Sequence, residues 1–391
     1  MSNWIDRSKK VLMNTYSRFP ITLTEGAGVY AKDDHGGEYL DFLAGIAVNA
    51  LGHAHPALSK AISEQAQKML HCSNLYHIPQ QTKLAEKLVQ HSSFDKVFFC
   101  NSGTEAIESA LKLARKWGKT QKNGAAKIIA MEHSFHGRTI GALSLTGQEK
   151  YQKSFKPLMP EVEFVPFNDI DALSNAVDED SCAVILEPVQ GEGGIFPARQ
   201  KYLQEVRRIC SETDTLLLFD EVQCGLGRTG TLFAHQYYEV EPDAVALAKG
   251  LGGGFPIGAL LAKERVAVFE PGDHASTFGG NPLASAASLA LLTELTDGGV
   301  VKHSREVGAY LHEKLSSLAT VNPRIKEIRG VNLMIGIQLD RDAGPYVDKC
   351  HKEGLLVGKA GPDVLRLVPP LIIEKEHIDT AVDILTEVLG E

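Results

Sequence analysis

Short, unbroken apolar runs recur along the chain, separated by longer stretches in which apolar residues return every three or four positions. "KVFFC" (Lys96–Cys100), "KIIAM" (Lys127–Met131), "CAVILEP" (Cys182–Pro188), "TLLLFD" (Thr215–Asp220) and "AVALA" (Ala244–Ala248) have strand length and little polar alternation. That is the pattern of strands buried on both faces of a parallel sheet. Between them, "TEAIESALKLARKW" sets Ile107, Ala110, Leu111 and Ala114 at helical spacing. "PARQKYLQEVRRICSE" does the same with Leu203, Val206, Ile209 and Cys210, and Pro197 is expected in its first turn. Strand–helix alternation predicts an α/β fold with a mostly parallel central sheet. Ligands of such sheets bind at the carboxyl ends of the strands, where Asn101, Glu187 and Asp220 fall.

After Asn281 the pattern changes. An Ala/Leu-rich helical stretch, Pro282–Thr296, leads to "IKEIRGVNLMIGIQL", "GLLVGKAG", "VLRLVPPL" and a closing helix from about Lys375. This predicts a smaller α+β domain, with a hinge near Asp297–Gly299. The first fifty residues carry strand signals in "GVYAKDDHGGEYLDF", with a turn at Asp34–Gly37, and are expected to join the smaller domain. The expected organisation is an N-terminal segment over 1–50, a large domain over 51–297 and a small domain over 298–391. No internal repeat or low-complexity tract interrupts it.

A chain of 391 residues suggests two or three domains. With 43% hydrophobic and 23% charged residues it has the composition for a large core. The formal net charge of −9 argues against nucleic acid or an anionic membrane as main partner. Any anionic ligand then needs locally placed Arg, Lys or helix N-termini. The six cysteines show no C-x-x-C spacing, Met1–Lys10 lacks a signal-peptide apolar region, and no apolar stretch reaches membrane-spanning length. A cytoplasmic protein with reduced thiols is expected.

Five stretches carry candidate chemistry. In "NSGTEAIESA" Ser102 or Thr104 can cap a helix whose first turn holds Glu105; Gly103 allows close backbone approach, and free N–H groups there suit a phosphate. In "HSFHGRTIGA" Phe135 can lie on a planar ring or pack in a core, and Arg138 can hold a carboxylate or a surface ion partner. His133 with His136, and His53 with His55, lack a third ligand at metal spacing, so no metal site is expected. "GLGRTG" (Gly225–Gly230) matches a dinucleotide fingerprint and follows a strand. However, Asp220 and Glu221 would repel a pyrophosphate, and the residues that follow make a poor crossover helix. In "ALAKGLGGGFPIGA" Lys249 ends an apolar run before a glycine-rich loop; partial desolvation would lower its pKa and make it a Schiff-base nucleophile.

"TLLLFDEVQCG" places Asp220 where an unpaired carboxylate is costly. A lysine amine, an Asp for a pyridinium nitrogen, a helix N-terminus for a phosphate and an aromatic for stacking together describe a pyridoxal 5′-phosphate site. The ring nitrogen would then be the counter-cation of Asp220.

Across nearly its whole length the sequence resembles the class III, fold-type I aminotransferases, and within them the bacterial acetylornithine aminotransferases. The resemblance rests on "NTYSRFPITLTEGAGVY", "LDFLAGIAVNALGHAHP", "CNSGTEAIESALKLAR", "SFHGRT", "LEPVQGEGG", "LLFDEVQCGLGRTG", "ALAKGLGGGFPIGA", "STFGGNPLASAA" and "LRLVPPL" in this order. It implies a large domain with a mostly parallel sheet plus a smaller α+β domain. It also implies Lys249 as the imine-forming and proton-shuttling lysine, Asp220 as partner of the pyridine nitrogen, Val222 beneath the ring and Gln223 near the phenolic oxygen. Gly103 and Thr104 would bind the phosphate and Phe135 would stack. Thr277 would reach the phosphate of a second subunit, which implies a homodimer with shared sites, and Ser276 beside it would touch substrate.

For substrates the resemblance implies Arg138, with Tyr16 near it, as anchor of the acetylated amino acid's carboxylate. Arg366 would bind the α-carboxylate of 2-oxoglutarate, and Glu192 would pair with Arg366 when a neutral tail occupies the site. N2-acetyl-L-ornithine is the implied amine donor. Succinyldiaminopimelate, ornithine, succinylornithine and 4-aminobutyrate stay open as alternatives.

Overall fold

The computed structural model describes residues 4–390. Residues 1–3, part of the expected N-terminal segment and of the stretch read for a leader, and residue 391 of the expected C-terminal domain lie outside the described residues.

Seven strands form the central sheet. Their spatial order is Lys96–Cys100, Gly258–Ala262, Ala244–Leu247, Leu216–Asp220, Ser181–Leu186, Lys127–Met131, Val162–Val165. Pairings from Ala244–Leu247 outward to Val162–Val165 are parallel. Gly258–Ala262 runs antiparallel to both of its neighbours, so it alone opposes the common direction. The strands Ser181–Leu186, Leu216–Asp220 and Ala244–Leu247 are buried at every position, which is why their sequences show no polar alternation.

Alternate residues feed opposite faces. Ile128, Ala130, Leu216 and Leu218 pack in one core cluster with Ile107, Ala110, Leu111, Ala114 and Trp117 of the Gly103–Gln121 helix. Ile129, Met131, Leu217 and Phe219 pack in another with Leu203, Val206 and Cys210 of the Gln200–Glu212 helix. The strand period of two thus meets the helix period of 3.6 on both sides.

The remaining strands form smaller sheets. Ile325–Val331, Met334–Leu339, Val364–Leu367 and Gly358–Ala360 make an antiparallel four-stranded sheet. Leu23–Ala27, Tyr30–Asp33 and Glu38–Asp41 form an antiparallel set, extended by Leu355–Leu356 lying parallel to Glu38–Asp41. The amides of Leu40 and Phe42 donate to the carbonyls of Gly354 and Leu356 at 2.8 and 2.9 Å. Among the described residues no helix is long and apolar enough to cross a membrane.

Four elements differ from the sequence reading. Pro197 is not in a helical first turn: Phe196–Pro197 pairs with Val189–Gln190 as a short antiparallel ladder, and the helix starts at Gln200. Strands Val162–Val165 and Gly258–Ala262 were not anticipated, and neither was the helix Val300–Val321.

Gly118, inside the Gly103–Gln121 helix, sits where a methyl group would stand 2.6 Å from Cys182 Cβ and against the Ala125 carbonyl. Helix propensity alone favours alanine there by about 1 kcal/mol. Both obstacles belong to packed backbone or core, so overpacking outweighs propensity. Gly118→Ala is expected to lower stability by about 1–3 kcal/mol; a urea midpoint equal to or above that of wild type would refute this.

Candidate active site

A cavity of about 600 Å³ opens at the carboxyl edge of the central sheet. Its wall includes Tyr16, Gly103, Thr104, Phe135, Arg138, Asp220, Val222, Gln223 and Lys249, nine of the thirteen residues singled out from sequence.

Asp220 ends its strand and is only 4% exposed. One carboxylate oxygen accepts the Val222 amide at 3.0 Å. The other lies 2.7 Å from His136 Nδ1. Burial pulls the His136 pKa down, but the hydrogen bond and charge of Asp220 outweigh it, and the net shift is upward. His136 is the partner this chain supplies, and its buried Nε2 has no hydrogen-bond partner. The neighbouring Glu221 points elsewhere: it accepts the amides of Ala234 and His235 at 2.6 and 2.8 Å and contacts His235 Nδ1 at 2.8 Å.

Glu187 follows the next strand and is also buried. It accepts the amides of Phe135 at 2.9 Å and Gly191 at 3.1 Å. Burial pushes its pKa up to about 7; Asp220 adds to the rise while the charge of His136 and the two amides oppose it.

Lys249 leaves its strand with φ of +43°, a conformation side-chain-bearing residues rarely adopt. Burial lowers the pKa of its amine, and Arg366 pushes the same way, while Glu192, Asp220 and Glu187 pull it up. The net fall favours the neutral, nucleophilic amine.

The opposite wall is a helix start. Ser102 Oγ accepts the Glu105 amide at 3.3 Å, and Glu105 accepts the Asn101 amide at 2.6 Å. Gly103 permits close packing here: a Cβ would lie 2.8 Å from Val222 Cγ1. Thr104 Oγ1 accepts the amides of Arg138 and Thr139, both at 3.3 Å, so helix start and aromatic loop form one unit. In that loop Phe135 meets the edge of Tyr151 at 5.7 Å. The exposed Arg138 guanidinium lies 4.2 Å from the Tyr151 ring centre and 5.4 Å from that of Phe135.

Arg366 and Glu192 form an ion pair beyond Gln223, whose Oε1 accepts from Arg366 at 3.5 Å. Burial raises the Glu192 pKa, yet the charge and hydrogen bond of Arg366 bring it below the usual carboxylate value. Ser276 Oγ accepts from Asn101 Nδ2 at 3.1 Å, and Asn101 lines the cavity. Thr277 is exposed, outside the cavity wall of its own chain. Tyr16 stands at the mouth, 70% exposed.

These groups fit pyridoxal 5′-phosphate by donor chemistry. A carboxylate lies at the floor, an amine of lowered pKa beside it, helix N–H groups opposite and an aromatic ring on the wall. Sequence reasoning missed the pairing of His136, the role of Glu187 and the Tyr151 shelf. His136 and Asp220 lie 84 positions apart, so no local spacing reveals them. Among the described residues no group of three or more His, Cys, Asp or Glu is placed to hold a metal.

A family model described as aminotransferase class-III matches residues 11–389. The chain is 53% identical over 389 residues to the acetylornithine aminotransferase of Caldanaerobacter subterraneus subsp. tengcongensis, covering 99% of each. It is similar to the solved structure of ornithine aminotransferase from Toxoplasma gondii, with TM-score 0.96 and 33% identity over 99% of this chain and 94% of that one. Acetylornithine aminotransferase from Elizabethkingia anophelis gives TM-score 0.88 and 32% identity, covering 99% and 98%.

The raised pKa of Glu187 has a stability consequence. Its folded value, about 7, exceeds the unfolded value of 4.5, so folding takes up a proton between them. The resulting stability is fully present below the unfolded value and is lost as pH rises through the folded one. In cofactor-free protein, the unfolding free energy of wild type minus that of Glu187→Gln should fall between about pH 5 and about pH 8. A pH-independent difference in urea titrations would contradict it.

Proposed function

We propose, from the premise that this chain belongs to the class-III aminotransferase family, that it transfers the δ-amino group of N2-acetyl-L-ornithine to 2-oxoglutarate. The products are N-acetyl-L-glutamate 5-semialdehyde and L-glutamate, and the step belongs to arginine biosynthesis. The observation that carries the reading is the Glu192–Arg366 pair, its arginine buried, whose charges bear on Lys249 in a cavity with Arg138 on its wall.

Class-III aminotransferases use pyridoxal 5′-phosphate, whose protonated ring, when bound, withdraws electrons from the carbon bearing the amine and so acidifies its proton. Lys249, with its depressed pKa, is the covalent anchor and the base that moves that proton. Asp220, held by His136, would face the ring nitrogen. Gly103 and Thr104 of this subunit and Thr277 of a second would hold the phosphate. Phe135 and Val222, both on the cavity wall, would hold the ring, and Gln223 would serve its phenolic oxygen.

Substrate binding divides between two arginines. Arg138, resting on Tyr151, takes the carboxylate of the donor, with Tyr16 and Ser276 completing the wall. Arg366 is masked by Glu192 while a neutral tail is present and exposed to the α-carboxylate of 2-oxoglutarate in the second half. Such a pair lets one cavity accept a singly anchored donor and then a dicarboxylate. The choice of acetylornithine rests on the 53% identity to a relative of that name; ornithine and acetylornithine aminotransferases both appear among structures near one third identity.

The working unit is a homodimer. Exposed Met69, Leu70, Leu75, Tyr76 and Phe278 make an apolar patch beside Thr277, of the kind that marks a protein interface. Asn74 ties its two parts together through the carbonyls of Ser276 and Gly279 at 3.1 and 2.9 Å. The domain division is 1–50, 51–297 and 298–391, supported by the pairing of Glu38–Asp41 with Leu355–Leu356. Six free cysteines, five of them buried, suit the cytoplasm.

Stopped-flow half-reactions test the proposal. N2-acetyl-L-ornithine alone should shift the absorbance of the bound coenzyme, and 2-oxoglutarate should restore it. If ornithine or succinyldiaminopimelate drives the first change with higher kcat/KM, the donor assignment is overturned.

A further inference from the structure

Arg329 and Arg366 share a cross-strand row. Arg329 pairs with Gly336, Gly336 with Arg366, and Arg366 with Gly358. Directly opposed residues project from the same face of a sheet, so the two guanidiniums stand on one face with a glycine between them. The segment Gly191–Phe196 lies along that row. Glu192 pairs with Arg366. Ile195 covers Gly336, where a Cβ would come 3.0 Å from Ile195 Cβ. The Gly194 carbonyl accepts from Arg329 Nε at 2.8 Å, and the Phe196 ring centre lies 3.8 Å from the Arg329 guanidinium.

Arg329 is itself held. Its Nη1 donates to Glu327 Oε2 and Gln338 Oε1, both at 2.8 Å, and the residue is only 8% exposed. Gly194 has φ of +125°, and a Cβ there would stand 2.9 Å from the Phe196 ring, so the backbone is closely fitted to this clamp. At the other end, Glu187 accepts the Gly191 amide. The segment is therefore fixed on both sides of Glu192, leaving that side chain as the moving part.

We propose that Arg329 is a positioning residue for substrate exchange: by pinning the Gly194 carbonyl it keeps Glu192 aimed at Arg366, so that only a dicarboxylate displaces it. A carboxylate on a fixed backbone loses little freedom on pairing and competes strongly with an incoming ligand. The inference rests on the assignment of Arg366 and Glu192 given above. Its consequence is specificity: with the pin in place, Arg366 is closed to the α-carboxylate of a stray amino donor.

The test measures binding of glutarate, an unreactive dicarboxylate, to the holoenzyme by calorimetry, with amide exchange across 191–196 in parallel. Arg329→Lys and Phe196→Leu loosen the pin by different routes. Both should bind glutarate about three- to tenfold more tightly than wild type, in the direction of Glu192→Gln, with faster exchange in the segment. Their preference for acetylornithine over glutamate in the amine half-reaction should fall in step. Tightening is the decisive sign, because mere structural damage weakens binding. If both variants bind glutarate as weakly as wild type or more weakly, while Arg366→Lys abolishes binding, the role of Arg329 is refuted and that of Arg366 stands. If Arg366→Lys leaves binding intact, the assignment beneath the inference fails and the inference with it.

Discussion

Asp220 and His136 meet 2.7 Å apart at the buried carboxyl edge of the central sheet. A lone carboxylate there would protonate or pull the strand end toward water. Here the imidazole of His136, from the neighbouring loop, gives it a polar partner without solvent. The requirement spreads outward. His136 must be delivered by the loop that follows Lys127–Met131, and its amide is fixed by Thr146 Oγ1 at 3.0 Å. The same loop then brings Phe135 and Arg138 to the cavity, so one buried contact sets the position of several groups.

Glu221 and Glu187 meet the same demand in other ways. Glu221 takes two amides and an imidazole at a helix start and leaves the cavity. Glu187 takes two amides and is partly relieved of charge by its raised pKa. Three carboxyl groups lie within a small buried region; Asp220 and Glu187 line the cavity and Glu221 does not. Each fixes local backbone through the amides it accepts.

The central strands were legible because full burial leaves continuous apolar runs, and their carboxyl ends then pointed to Asp220, Lys249 and Gly103. Gly258–Ala262 was hidden because "GALLA" follows a glycine loop and reads as its tail. The Val300–Val321 helix was overlooked although Val307, Leu311, Leu315 and Leu318 recur at helical spacing. Pro197 suits a helix start but equally an edge strand, and the ladder with Val189–Gln190 decided it. His136 and Arg329 left no local trace, since each acts through a partner far along the chain. The positions of Arg138, Glu192 and Arg366 in the cavity's surroundings depend on three separate parts of the chain, which periodicity cannot assemble.

The antiparallel placement of Gly258–Ala262 has a further consequence. A parallel neighbour would have required a crossover over the face of the sheet; here the chain simply turns back, and Lys249 sits in a loop tethered at both ends by central strands. The arginine row, by contrast, belongs to a different sheet and a later stretch of sequence. Lys249 and the arginine row thus stand on separate frameworks, joined through the Gly191–Phe196 segment that Glu187 and Arg329 hold. A change in the outlying sheet can therefore shift the Arg366–Glu192 pair while the loop that carries Lys249 stays moored to its own two strands.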